Sequence, residues 1–244
     1  MSSACNLEST LNEFQTASCE TKIWDSLSKF IVSQSITAFV YHHLPALGAY
    51  DYLKKKSVKR SFDNEGDDVC SVIDFCFEHN LRSRARHMVD AEFWSSSSCT
   101  NDELKKELGT RLDWPPAEKD MRGVSIPVHG PSGRNGCFSL GFSDACNIKN
   151  INGLQNLRWA CQNAHQSYCR YLNAEFLNSV VLTDRETEIL QWMAMGKSNG
   201  VIADILDISH HTVSTYVRRI FLKTSTSDRT SASLYGISNG LIKL

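Results

Sequence analysis

The sequence predicts an α+β chain: an N-terminal α-β-α sandwich on an antiparallel sheet, then a C-terminal unit of four short helices containing a helix-turn-helix. Three observations predict it. Two alternating apolar segments flank a turn-rich stretch, apolar runs of helical period precede and follow them, and short amphipathic segments stand in tandem from Leu182 to Leu244. The 244 residues suffice for two cores, so we set the domains at 1–177 and 182–244, with 178–181 as linker.

In chain order, Leu7 to Val32 reads as helix, because Leu7, Leu11, Phe14, Ile23, Trp24, Leu27, Phe30 and Ile31 recur at helical intervals. Ile36 to Leu44 is rich in β-branched and aromatic residues and reads as a strand. Tyr50 to Asp68 carries Lys54, Lys55, Lys56, Lys59 and Arg60, then Asp63, Glu65, Asp67 and Asp68. Such a block reads as a solvated loop or frayed helix face, with a second nucleic-acid contact or an anion site as the sharper reading. Val69 to Met88 and Asn101 to Gly109 read as helices. Gly123–Val128 and Cys137–Phe142 alternate around the turn residues His129–Gly136, which makes an antiparallel hairpin. Asn152 to Leu177 is a long helix with Leu154, Leu157, Ala160, Cys161, Ala164, Tyr168 and Leu172 on one face.

The C-terminal unit is marked by its caps. Thr183 is an N-cap, and Glu186 three residues on completes a capping box that, with Asp184, places negative charge at the positive helix end. Ile189, Leu190 and Met193 share a face, and Gly196 stops the helix. Ser198 or Asn199 caps the next segment, where Val201, Ile202, Ile205 and Leu206 recur around small Ala203. After the short connection Asp207-Ile208-Ser209, Ser209 caps a third segment, His210 to Thr224. Length, caps and pattern make a helix-turn-helix.

From Ser209 to Lys223 this third segment is basic and free of acid. Val213, Val217 and Ile220 point one way, while His211, Thr215, Arg218 and Leu222 point the other. A helix of this kind reads duplex DNA through its N-terminal half, so His211, Ser214, Thr215 and Arg218 are the base-reading candidates, Arg218 as a bidentate partner of guanine. Thr212, Arg219, Lys223 and Lys197 suit phosphate contacts, and Ser198 and Val213 complete the candidate DNA-binding set.

The run LTDRETEILQWMAMGKSNGVIADILDISHHTVSTYVRRIFLKTSTSDRTSAS resembles the DNA-binding domain of LuxR-type transcription regulators. The positions carrying the resemblance include Leu182, Thr183, Arg185, Glu186, Ile189, Leu190, Gly196, Ser198, Asn199, Ile202, Ala203, Leu206, Ile208, Ser209, Thr212, Val213, Ile220, Lys223, Arg229 and Thr230. It implies a four-helix domain whose third helix enters the major groove. The fourth, from about Ser227 to Gly240, would help pair two copies on a palindromic operator. Departures are Gly200-Val201 for the usual Lys/Arg-Glu, Ser214 for a common Lys, Tyr216 for a common His and Thr224 for a common Leu.

The segment RGVSIPVHGPSG with its returning strand resembles the acyl-homoserine-lactone-binding domain that precedes such DNA-binding domains in quorum sensing. Gly123, Trp94 and Ser139 match its positions. The Asp-Pro pair whose carboxylate accepts the ligand amide is met instead by His79-Asn80, and no Trp lies between Trp24 and Trp94 to hold the lactone. A buried amide without an acceptor costs about 1–3 kcal/mol, tenfold or more in affinity. The expected protein is therefore a LuxR-type regulator, an activator or a repressor, that is an orphan or a receptor for another small molecule. Tyr41, Tyr50, Tyr52, His79, Trp94 and Ser139 are the candidate ligand residues. A diverged lactone receptor stays open as an alternative. So does a heterodimer with a related regulator in place of a homodimer, as in some rhizobial motility regulators.

Composition limits the other classes. Net charge is −1 overall; the residues from Val181 onward carry one excess positive charge, so affinity for DNA must come from local placement and dimerisation. Nine scattered cysteines without CxxC spacing, a polar stretch from Met1 to Ser18 and no apolar run long enough to span a bilayer predict a reduced, cytoplasmic, membrane-free protein. Most thiols are expected to pack as small apolar groups, with redox sensing by one as the sharper reading. His42-His43 would point to opposite faces of a strand, which speaks against a metal site there, and no cofactor is expected. No GxSxG, HExxH, P-loop or dinucleotide fingerprint occurs, so the chain reads as no enzyme. It also lacks the early acidic pair of a phospho-receiver domain.

Overall fold

The computed structural model describes residues 6–52, 57–62, 70–71, 73–74, 77, 85, 87–95, 122–142, 151–177 and 180–243. They form two compact units: Met1–Leu44, Lys56–Gly130 and Asn135–Tyr171 in the first, Pro45–Lys55, Pro131–Arg134 and Leu172–Leu244 in the second. The second unit thus begins inside the long helix rather than after Leu177, and it takes in two short segments from upstream.

The first unit opens with α1 (Leu7–Thr16) and α2 (Glu20–Ser33), not with one helix. The apolar period loses its phase at Ala17-Ser18-Cys19, where Ala17 and Cys19 are extended. Folding back lets Ser26 donate to Glu13 at 2.5 Å and buries both Phe14 and Trp24.

A five-stranded antiparallel sheet follows, in the order β2-β1-β5-β4-β3. Its strands are β1 (Ile36–Leu44), β2 (Ser57–Ser61), β3 (Glu92–Ser95), β4 (Arg122–His129) and β5 (Asn135–Phe142). The hairpin β4–β5 closes as expected, pairing Arg122 with Phe142 and His129 with Asn135. Strand β2 corrects the reading of that stretch as loop: SVKRS is an edge strand whose Lys59 and Arg60 pair with Asp74 and Asp25. Those ion pairs also remove two cations from the second nucleic-acid contact or anion site. Lys54, Lys55 and Lys56 lie outside the described residues, as does the helix expected at 101–109.

The two faces of this sheet differ. On one, Phe39, Tyr41 and Phe138 are fully buried, Tyr41 and Phe138 against Trp24 of α2 and Tyr41 against Tyr168 of α3 (Ile151–Leu177). Ser167 of α3 donates to the Phe14 carbonyl at 2.9 Å, fastening α1 to the same layer. On the other face, Ala38 and Val40 meet Cys70 and Ile73 of a helical stretch, and Phe77 stacks on His42 at 3.8 Å. Helical segments on both faces make this unit the expected α-β-α sandwich. His42 and His43 do point apart, His43 toward Tyr41 and Tyr168. The cysteines pack: burial pushes the Cys137 thiol up to about 12 and raises Cys161 as well, which keeps both protonated and argues against redox sensing at either.

In the second unit, α4 (Asp184–Ala194), α5 (Asn199–Leu206), α6 (His210–Thr224) and α7 (Arg229–Ser238) enclose one aliphatic core of Ile189, Leu190, Met193, Ile202, Val213 and Ile220. The local signals place the helices. Thr183 and Glu186 form the full capping box, Ser198 and Ser209 accept from the backbone N–H of Val201 and Thr212, and Gly196 leaves α4 at φ +77°. Gly236 lets α7 approach α4 closely, since a Cβ there would sit 2.8 Å from Leu190. The unit also buries Arg134 at 1% exposure. Its guanidinium lies 3.4 Å from Asp51, donates to the Ser238 carbonyl and to Asn239 Oδ1, and stacks over Tyr50.

Candidate nucleic-acid interface

The interface is built by α6, and its placement follows from one side of the helix being sealed. Val213 and Ile220 have no exposure, and Val217 packs partly against the same core. At 3.6 residues per turn this turns His211, Thr215, Arg218 and Arg219 to solvent, and all four are exposed. Their side is free of carboxylates from Ser209 to Lys223. Leu222, 73% exposed, extends the same stripe.

The supporting contacts fix the helix entry. Ser209 Oγ pairs with Thr212 Oγ1 at 2.8 Å and accepts from the Thr212 N–H, so Thr212 is held at the first turn. Thr215 Oγ1 donates back to the His211 carbonyl at 3.0 Å, leaving its methyl and oxygen lone pairs outward. Asn199 Nδ2 reaches Ser214 Oγ at 3.4 Å, and Arg229 donates to Asn199 Oδ1 and to the Lys197 carbonyl. This chain ties the start of α5, the middle of α6 and the start of α7 together. The Arg219 guanidinium sits 5.6 Å over the Tyr216 ring, which restrains it at the flank of the stripe. Lys197 and Ser198 are exposed beside the start of α5.

Two expected contacts need correction. Val213 belongs to the core, where its apolar side chain seals α6 against α4 and α5, so it has no side chain to offer DNA. Lys223 is already engaged: its ammonium lies 2.6 Å from Glu186 Oε2 and donates to the Val181 carbonyl at 3.0 Å. Glu186 is 2% exposed. Burial alone would raise its carboxyl, yet the bonds from Lys223 and Thr183 hold it below the usual carboxylate range. Lys223 thus locks the end of α6 to the cap of α4, a role that local sequence spacing could not reveal. The unusual Thr224 is also explained, since its hydroxyl donates to the Ile220 carbonyl at 2.8 Å and is satisfied although buried.

The ligand candidates are divided between the two units. Tyr41 is buried on the aromatic face of the sheet, hydrogen-bonded to His165 at 2.8 Å and His43 at 3.0 Å, which makes it core. Tyr50 stacks on Phe176 and donates to the Leu172 carbonyl, and Tyr52 lies exposed on the turn that follows; both belong to the second unit. His79 lies outside the described residues. Trp94 and Ser139 do share the other face of the sheet, two residues apart in register.

Residues 180–235 match the family described as bacterial regulatory proteins, luxR family. These residues belong to the luxR family. The quorum sensing-dependent regulator VjbR of Brucella melitensis is 40% identical over 134 residues, 52% of this chain and 51% of that one. The transcriptional activator AhyR of Aeromonas hydrophila is 32% identical over 131 residues, 52% of this chain and 50% of its own. The chain thus spans about half the length of the curated relatives it matches. The crystal structure of Escherichia coli SdiA resembles it with a TM-score of 0.67 at 17% identity, covering 98% of each chain, a likeness of fold. Among the described residues, no helix is long and apolar enough to cross a membrane.

Proposed function

We propose that this chain is a sequence-specific, DNA-binding transcription regulator of the LuxR type. It acts in the cytoplasm as a dimer on a palindromic operator and performs no catalysis. The observation that carries the reading is the outward stripe of α6, with His211, Thr215, Arg218 and Arg219 exposed opposite a fully sealed aliphatic side. His211, Ser214, Thr215 and Arg218 meet base edges, Lys197, Ser198, Thr212 and Arg219 hold phosphates, and α7 pairs two copies. The α-β-α unit is the regulatory part, and a small molecule governs it only by binding better to the DNA-competent arrangement. Fluorescence anisotropy on duplexes that the protein selects from a random pool tests this. Arg218→Ala should relax base preference and cost about 1–3 kcal/mol of discrimination. Unchanged selectivity would reject the base-reading role of Arg218.

A further inference from the structure

Among the described residues, Arg134 is the largest side chain that is fully buried, and the DNA-facing stripe of α6 makes no use of it. A guanidinium is kept out of water only where its charge and its donors are met. Here Nε lies 3.4 Å from Asp51 Oδ1, one terminal nitrogen donates to the Ser238 carbonyl at 3.1 Å, and the other donates to Asn239 Oδ1 at 2.9 Å. Ser238 is the last residue of α7 and Asn239 its C-cap, so the cation stands at the negative end of that helix.

Asn239 is used completely. Its Oδ1 also accepts from the Tyr50 N–H at 3.0 Å, and its Nδ2 donates to the Gly48 carbonyl at 3.2 Å and to the Tyr235 carbonyl at 2.8 Å. A side-chain amide has two donors and two acceptor sites, and all four are occupied. Ser238 Oγ adds a bond to the Leu47 carbonyl at 2.5 Å. Gly48, at φ +86°, lies so close to the middle of α7 that a Cβ there would be 2.9 Å from the Leu234 carbonyl carbon. Leu47 to Asp51 thus form a strap along one side of α7, and Arg134 fastens it. Strap, Arg134 and α7 all belong to the second compact unit.

Two sides of α7 are therefore held. Ala232 and Gly236 face the aliphatic core, where Gly236 meets Leu190 and Ile242, while Ser238 and the backbone of Leu234 meet the strap. Thr230 and the Leu234 side chain, four residues apart and so on one face, are exposed. A helix gripped on two sides cannot roll about its axis, and the face it presents is fixed.

We propose that Arg134 is a positioning residue for pairing: with Asp51 and Asn239 it sets the roll of α7 so that Thr230 and Leu234 meet a second copy of the chain. The proposal rests on the reading above that α7 pairs two copies on a palindromic operator. It makes cooperative grip on that operator depend on a side chain 105 residues from the cap it holds.

Fluorescence anisotropy of the full chain on two duplexes tests it, the palindrome that the protein selects and a duplex carrying one half of that site. Arg134→Lys keeps a positive charge beside Asp51 and loses the fork that holds Ser238 and Asn239. Gly48→Ala keeps every charge and presses the strap away from α7. Each should weaken binding to the palindrome about tenfold and leave half-site affinity within about twofold, because α6 and its core are untouched. Equal weakening on both duplexes would reduce Arg134 to a support of the fold, and palindrome binding that either variant leaves intact would detach the cluster from pairing; both results overturn the proposal. Failure of the underlying reading looks different. The unsubstituted chain would then bind the palindrome no more tightly than two independent half-sites, and the proposal would fall with that reading.

Discussion

The outer stripe of α6 and the sheet face that carries Trp94 and Ser139 both hold polar groups, and they stand in opposite relation to water. On α6 the polar groups are exposed, cationic and backed by a sealed aliphatic side. On the sheet they are buried, neutral and in part without a partner among the described residues. Exposed charges cost nothing to keep and bind by long-range attraction and groove contacts. Buried donors are expensive to keep and bind by short-range pairing. The first arrangement suits a large polyanion.

The sharpest break of this comparison is on α6 itself. Ile220→Ala should cost about 2–5 kcal/mol, because it opens a cavity in a core where Ile220 has no exposure. Chemical denaturation followed by circular dichroism checks it. Lys223→Ala comes next: it leaves the buried Glu186 carboxylate without its cation and should cost about 1–3 kcal/mol at neutral pH. The sign with pH follows from the lowered Glu186 carboxyl, whose stabilisation is present above the ordinary carboxylate range and is lost as pH falls through its folded value. The gap between wild type and Lys223→Ala should therefore close in acid, and a gap that widens would remove the ion pair from the account. Thr183→Ala should cost about 1 kcal/mol through the lost cap. Leu222→Ala, at 73% exposure, should change stability by less than about 0.5 kcal/mol while still touching the interface.

How much of this was legible in the sequence divides along the same line. Caps at Thr183, Ser198 and Ser209, the stop at Gly196 and the inward and outward sides of α6 depend on residues within a turn or two, so local pattern finds them. The hairpin was legible for the same reason. What was not legible depends on segments distant in the chain. Strand β2 looks like a charged loop until β1 is placed beside it, and Lys223 looks like a phosphate ligand until Glu186, 37 residues earlier, is seen under it. Arg134 reads as a turn residue, yet it is buried because Asp51 and Asn239 converge on it. Tyr41 reads as a pocket tyrosine only while the face of β1 it occupies is unknown. That Ser61 Oγ and Trp94 Nε1 find no partner among the described residues carries no sequence signal, since it is a property of the whole surrounding structure.

The most direct test of the central claim places a photo-crosslinking residue at Thr215, on the outer stripe of α6, and in a second protein at Asp204, exposed on α5. With a duplex selected by the protein, position 215 should crosslink to base edges within the site and position 204 should not. Crosslinks from 204 with none from 215 would contradict the placement of α6 in the groove and, with it, the regulatory account.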